Sequence, residues 1–267
     1  MGADIKNLRT RIKSVNSTLH LTKAMGLVAS SKIRRAIESM NKSREYSDAV
    51  KETVKQLTAS EECARSPYMS QSDGNKICLV AVAGDRGLAG GYNANIFRLM
   101  KEYPDAQIIP VGKRACERFE GDMQLVEQFG YSEAKALSVK LCNDFIEGKF
   151  DRVGIVCTKY ISMMSQDAQV EWVLPLRKSE EKNKSGIIFE PDEISVLNEV
   201  IPEYVAGILY AAVKESFASE VAARRVAMDS AGKNAQQMLD ELGLKYNRAR
   251  QGAITQEITE IVAGSDA

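Results

Sequence analysis

The chain has one histidine and one tryptophan among its 267 residues, only six prolines, and no excess of either charge, with 36 basic and 36 acidic side chains. Each scarcity excludes something. His20 stands on a basic segment with no second metal-type ligand beside it, whereas a zinc site gathers three or four, so it reads as a helix-surface histidine. With Trp172 alone and few other aromatics there is little to stack nucleic-acid bases. A formal net charge of zero supplies no global attraction to nucleic acid or to an anionic membrane. The longest uninterrupted apolar stretches, such as Ile77 to Ala83, fall well short of the roughly 20 residues of a membrane span, so no direct membrane insertion is expected. Five cysteines (Cys63, Cys78, Cys116, Cys142 and Cys157) are odd in number and widely spaced. That pattern suits neither a disulfide framework nor a zinc site and fits a reducing cytosolic compartment.

What is present is enough to fold. A hydrophobic fraction of 44% over this length can build the core of one large domain or two modest ones.

The two ends share one habit. From Ile5 the apolar residues step by three and four through Leu8, Ile12, Val15 and Leu19, then through the small Thr22, Gly26 and Ala29 to Ile33, Ala36 and Met40. This is a heptad seam, and with no proline before Pro67 it predicts one helix from about Ala3 to about Ala59, roughly 85 Å long. The small residues at Thr22, Gly26 and Ala29 allow a partner helix to cross closely. After Pro202 there is no further proline. Val213, Phe217, Val221, Met228, Ala231, Ala235, Met238, Leu242, Tyr246, Ala249, Ile254, Ile258 and Ile261 recur at helical spacing, predicting a second helix of roughly 70 residues from about Asp192. Gly232, Gly243 and Gly252 weaken it at roughly 1 kcal/mol each without having to end it.

Between the ends the texture changes. Ile77 to Ala83 is a continuous apolar run, followed by a glycine-rich turn and by Asn93 as the cap of a helix through Tyr103. Strands at Gln107–Gly112, Arg152–Lys159 and Gln169–Leu176 and helices near Lys113–Phe119 and Ser132–Glu147 complete an alternation that predicts a mainly parallel sheet with helices on its faces. Ser60–Asn75 and Arg177–Gly186 are polar and read as loops. The fold class is therefore α/β: a long antiparallel coiled coil of the N- and C-terminal helices plus a central Rossmann-like α/β domain, with the divisions 1–59, 76–190 and 192–267. The longer second helix is expected to project past its mate.

Few residue sets suggest chemistry. The phosphate-cradling pattern of glycine, four residues, glycine, lysine and serine or threonine is missing, and with one histidine there is no Ser-His-Asp set. The turn Gly84-Asp-Arg-Gly87-Leu-Ala-Gly90-Gly91 lies where a dinucleotide fingerprint would, but Arg86 takes the place of its second glycine. No catalytic residue, cofactor or metal is assigned. The first helix carries a basic stripe, Lys6, Arg9, Arg11, Lys13, Lys23, Lys32, Arg34 and Arg35, against Asp4 alone before Glu38. A transit peptide has similar composition, yet the seam continues to Met40 without a cleavage-like break. The stripe reads equally as a solvated face or as a contact for an acidic partner, and Arg224, Arg225, Arg248 and Arg250 add to it on the second helix. A small-molecule enzyme using the Gly84–Gly91 turn and a coiled-coil scaffold that dimerises through its seams are the alternative readings.

Three blocks carry a resemblance. Ile12-Lys-Ser-Val-Asn16 with Leu21-Thr-Lys-Ala-Met25 and Val28-Ala-Ser-Ser-Lys32 resembles the first helix of the gamma subunit of the F-type ATP synthase. Asp85-Arg-Gly-Leu-Ala-Gly-Gly91 with Tyr92-Asn93 is similar to that family's central signature. Ser219-Glu-Val-Ala-Ala-Arg-Arg225 with Ala227-Met228, and Tyr246-Asn-Arg-Ala-Arg-Gln251 with Ile254-Thr-Gln-Glu-Ile258, resemble its last helix. The order is the family's over the whole length. Gly84 stands where the family often has serine and Ala89 where many members have cysteine, and the plant-type insertion with its paired cysteines is not seen.

The resemblance implies a non-catalytic rotor shaft on the cytoplasmic face of the bacterial plasma membrane, coupling ion flow to ATP synthesis or hydrolysis. It implies an antiparallel coiled coil inside a ring of three alpha and three beta subunits, with the α/β domain and the epsilon subunit on the c-ring. By the same resemblance Lys23 and Met25 meet the acidic lever loops of beta, and Arg224, Arg250, Gln251 and Thr255 meet the catch and upper bearing. Asp85, Arg86 and Gly87 lie near the base of the ring, and Phe189, in Gly186–Pro191, belongs to the foot approaching the c-ring.

Overall fold

The computed structural model describes residues 2–70, 74–122, 124–179 and 189–265. They fall into two compact units, Met1–Ser30 with Arg224–Ala267, and Ser31–Ala223. Two helices contribute to both. α1 spans Gly2–Leu57, 56 residues, and α5 spans Glu193–Ser265, 73 residues, so both terminal helices are as long as the seams predict. Gly232, Gly243 and Gly252 all lie inside α5 without ending it.

In the first unit the seam of α1 is the face turned inward, with Leu19, Thr22 and Ala29 no more than 7% exposed. A Cβ added to Gly26 would lie 3.7 Å from Met228, and one added to Gly232 would lie 3.6 Å from the Thr22 hydroxyl. Descending numbers on α1 thus meet ascending numbers on α5, so the pair is antiparallel. Twenty residues back from Thr22 lies Gly2, and the same twenty steps take α5 from Gly232 to Gly252. Ile254, Ile258 and Ile261 lie past that point and are 47%, 56% and 69% exposed. They belong to no seam here, because among the described residues α1 supplies nothing opposite them. Met238 is a second departure: it is exposed while Leu239 is partly buried, because the straight 3.6-residue turn drifts against a strict heptad.

The second unit is built on four strands, β1 (Ile77–Val82), β2 (Gln107–Val111), β3 (Arg152–Tyr160) and β4 (Gln166–Leu174), in the order β2-β1-β3-β4. β1 is parallel to both β2 and β3, while β3 and β4 form an antiparallel hairpin. The unbroken apolar run of β1 follows from cover on both faces. Cys78, Val80 and Val82 point into a core with α4 (Tyr131–Ile146) and α5, whereas Leu79 and Ala81 point toward α2 (Tyr92–Leu99) and Ala115 of α3 (Lys113–Phe119). β4 starts earlier than predicted and stops at Leu174. The Ser162 hydroxyl accepts from the N–H groups of Met164 and Ser165, tightening the hairpin so that pairing restarts at Gln166, and Pro175 then has no N–H to donate.

Two further expectations are corrected. Asn93 does not cap α2, which begins at Tyr92 after Gly91; its side-chain oxygen instead accepts from the Gly84 N–H at 2.9 Å. Ser60–Asn75 is no plain loop. It holds short 3-10 turns at Glu62–Arg65 and Pro67–Met69, and it buries Cys63 and Tyr68 in the main core. Of Arg177–Gly186, residues 180–186 lie outside the described residues, as do 186–188 of the foot segment.

α5 also carries a stretch that by length and composition alone could cross a membrane, although it is no unbroken apolar run. Packing accounts for it: Leu197, Ile201, Val205, Ile208, Leu209, Ala212 and Val213 sit in the core against the sheet. Pro202 lies within this part of α5 and removes the N–H that would have bonded the Asn198 carbonyl. The Asn198 side chain is itself used, accepting from the Ser66 hydroxyl at 2.7 Å.

Candidate functional site

The signature turn Gly84–Gly91 leaves the C-terminal end of β1 and is held from two sides. From one side comes Asp85. Its Oδ1 accepts from the N–H groups of Lys113 at 3.1 Å and Val126 at 3.0 Å, and its Oδ2 accepts from that of Glu127 at 3.1 Å. One carboxylate thereby fixes the first turn of α3 and the segment that leads to α4, and hydrogen bonds to a charged acceptor are the stronger kind. Gly112, at φ +94°, allows this closure, since a Cβ there would strike the Ala83 carbonyl oxygen at 1.9 Å.

From the other side comes α5. Glu220 is 2% exposed, and its Oε1 accepts from the Arg86 N–H at 3.3 Å. One turn earlier Ser216 Oγ accepts from the Thr158 N–H, the adjacent Ser219 Oγ donates to the Thr158 carbonyl, and the Tyr92 hydroxyl donates to the Ser216 carbonyl at 3.0 Å. This polar strip welds α5 to β3, to the turn and to the start of α2. Burial pushes the Tyr92 phenol far above its ordinary range, so it stays a donor. The same strip sets the turn apart from a dinucleotide-binding loop. In a dinucleotide fold the loop N–H groups after the first strand hold a pyrophosphate. Here an N–H of that loop is taken by the chain's own buried Glu220 side chain.

Within the helix pair of the first unit, Arg225 crosses from α5 to α1: its Nη1 donates to the Gly26 carbonyl at 3.1 Å, an oxygen that also accepts from the Ser30 hydroxyl. The carbonyl is reachable because no large side chain stands at residue 26. Lys23 is exposed and Met25 half-buried on the outer flank of α1, beside Leu21, Leu27 and Val28, which are 58%, 69% and 53% exposed. Arg224 is half-buried, whereas Arg250, Gln251 and Thr255 are exposed.

The comparisons with known proteins agree with this geometry. A sequence profile described as ATP synthase matches residues 4–267. The chain is 40% identical to the ATP synthase gamma chain of Ruminococcus albus, over 98% of each chain. The chain belongs to the ATP synthase gamma-chain family. It is also 37% identical to the sodium ion specific gamma chain of Acetobacterium woodii, over 100% of this chain and 99% of that one. A chain of the Euglena gracilis mitochondrial ATP synthase shares the fold at a TM-score of 0.71 and 20% identity, covering 100% of this chain and 95% of that one. A second Euglena gracilis structure, of the rotor, gives 0.66.

Set against the gamma-chain resemblance, the expected site residues fall into separate groups. Asp85, Arg86 and Gly87 are together on the signature turn, with Arg86 exposed and the Asp85 carboxylate turned inward onto backbone. Phe189 packs against the main core rather than standing clear of it. Lys23, Met25, Arg224, Arg250, Gln251 and Thr255 are spread along the helix pair. Two residues outside the expected set, Glu220 and Ser216, hold the framework, and Arg225, expected only as part of the basic stripe, crosses to the Gly26 carbonyl. An acidic residue one turn after a serine, just past the most apolar stretch of α5, is the sequence signal for the first two.

Proposed function

We propose that the chain is the central rotor shaft of an F-type ATP synthase, itself non-catalytic, at the cytoplasmic face of the bacterial plasma membrane. It turns inside a ring of three alpha and three beta subunits and joins the epsilon subunit and the c-ring, so that ion flow and the nucleotide sites on beta exchange work. The observation that carries this is the strip Ser216-Ser219-Glu220: the helix that pairs with α1 is hydrogen-bonded into the α/β fold through buried, directional contacts. Apolar packing alone resists separation but not rotation, being non-directional, whereas such bonds fix the helix in azimuth. A shaft without three-fold symmetry in a three-fold ring gives three sites unequal environments, and its rotation exchanges their affinities.

In this reading Lys23 and Met25 meet the acidic lever loops of beta, an arrangement of complementary charge. Arg224, Arg250, Gln251 and Thr255 meet the catch and the upper bearing. Arg86 and Gly87 face the base of the ring on a turn whose shape Asp85 sets, and Phe189 lies by the foot near the c-ring. No cofactor, metal or nucleic acid takes part. The test is reconstitution of the full complex in vesicles with this chain as its gamma chain. ATP should drive ion pumping, the chain should copurify with alpha, beta and epsilon, and omission of the chain should abolish pumping. Failure to copurify would overturn the proposal.

A further inference from the structure

α4 is tied to α1 and α5 by a cluster that the signature turn does not touch. The Tyr131 hydroxyl, at the first position of α4, donates to Glu203 Oε2 of α5 at 2.6 Å and shares a 3.1 Å hydrogen bond with the Tyr46 hydroxyl of α1. Lys135, one turn on, pairs with the other oxygen of Glu203 at 2.5 Å. The Tyr131 ring stands edge-on to both Tyr46 and Tyr210, at 5.8 Å between centroids in each case. Gly207 makes room, since a Cβ there would come within 3.1 Å of the Tyr46 ring. Lys214 closes the far side by donating to the Phe129 carbonyl at 2.7 Å.

We infer that Tyr131 is a positioning residue for torque transmission, a bolt that reaches both helices of the pair at once and keeps them from rolling on the sheet. The inference rests on the proposed function. Glu203 and Ser216 are thirteen residues apart on α5, about 20 Å along its axis. Two directional attachments at that separation fix a helix in rotation as well as in place, where one would leave it a pivot. The contacts of Tyr131 are of the kind that resist rolling: a hydrogen bond to a carboxylate with its own cation, and two edge-on ring contacts that lose overlap when a helix turns.

The test uses the complete complex in vesicles and an oxonol dye, which reports the ATP-driven membrane potential whichever cation is pumped. Tyr131→Phe keeps the rings and deletes the hydroxyl. It should leave ATP hydrolysis within about twofold and raise the fraction of turnovers that pump nothing by about tenfold, the effect of losing a hydrogen bond to a charged acceptor. Glu203→Gln retains an acceptor and should keep most of the coupling, whereas Glu203→Leu should behave like Tyr131→Phe. Leu141→Ala, in the α4 core, gives the baseline for lost stability alone and should leave the ratio of potential to hydrolysis unchanged. An unchanged ratio in Tyr131→Phe, loss of the chain from the complex, or an equal change in Leu141→Ala would each overturn the inference. A wild-type complex that develops no potential would instead overturn the proposed function.

Discussion

The Glu220 carboxyl carbon sits 2.7 Å from where a Cβ on Gly84 would fall. The signature turn can approach α5 only with glycine at position 84, and the family's frequent serine there would need this carboxylate to be placed differently. Gly84→Ala should therefore cost about 1–3 kcal/mol, the usual penalty for overpacking, because Glu220 is buried and hydrogen-bonded and cannot swing aside. In a Glu220→Ala background that extra cost should vanish. A double-mutant cycle by urea unfolding measures it, and additive costs would show that the two residues do not meet.

Gly26 separates two explanations of the small seam residues. An alanine there would stand 3.3 Å from the flexible end of Arg225 and 3.7 Å from Met228, so it fits, and Gly26→Ala should stabilise by up to about 1 kcal/mol through helix propensity. Gly26→Leu should displace the Arg225 guanidinium from the Gly26 carbonyl, loosen the pair and impair coupling. Thermal unfolding with ATP-driven pumping distinguishes the two variants, and normal pumping by Gly26→Leu would count against close packing as the requirement.

Lys23 is exposed on the outer flank of α1, so folding does not depend on it. Lys23→Glu should leave assembly of the complex and Tm unchanged and lower the ions pumped per ATP. An assembled complex with normal pumping would contradict its proposed place against acidic loops.

The buried thiols make the fold sensitive to alkali. Burial pushes Cys78 and Cys142 up to about 12, with Asp144 adding to the first. The native thiols keep their protons when those of the unfolded chain, near 9, have lost theirs, so stability is unaffected below pH 8 and falls as pH rises from about 9 toward 12. Each thiol contributes up to about 1.4 kcal/mol per pH unit in that window. Denaturant midpoints between pH 7 and 10.5 test the slope. Cys78→Ala with Cys142→Ala should lessen it, at the separate cost of lost core volume, the remainder coming from Cys63 and Cys157, whose thiols burial also pushes up. Native protein at pH 8 should leave both thiols unmodified by iodoacetamide.

The end of α5 past Gly252 buries little of itself. A chain ending at Gly252 should unfold within about 0.5 kcal/mol of full length, since exposed side chains rarely contribute more. A larger loss would mean that Ile254, Ile258 and Ile261 are covered in the isolated chain.

Periodicity made the helices and strands legible. α3 coincides with its predicted Lys113–Phe119, and the seam residues Leu19, Thr22, Ala29, Ile33, Ala36 and Met40 are all buried, because a stripe repeated over many turns outweighs any single propensity. Connectivity alone required the two ends to be antiparallel if paired. What the sequence hid was side-chain direction. Asn93 has the composition of a cap yet serves Gly84, and Asp85 looks like a surface charge yet holds three backbone N–H groups supplied by segments some 28 to 42 residues away. Glu220 was invisible for the same reason, since its partner Arg86 N–H lies 134 residues earlier and no local pattern announces it. The departure at Met238 came from assuming a fixed seven-residue repeat, and that at Ile261 from assuming that a seam always has a mate.

The Arg225 to Gly26 hydrogen bond joins groups 199 residues apart. During synthesis α1 therefore leaves the ribosome long before its mate. Until α5 emerges, Met40 lacks its native cover from Ala218, and the pairing must await that emergence. Chaperone occupancy on nascent chains should accordingly begin when α1 emerges and persist until α5 does, a burden that the order of the elements imposes whatever the stability of the finished fold.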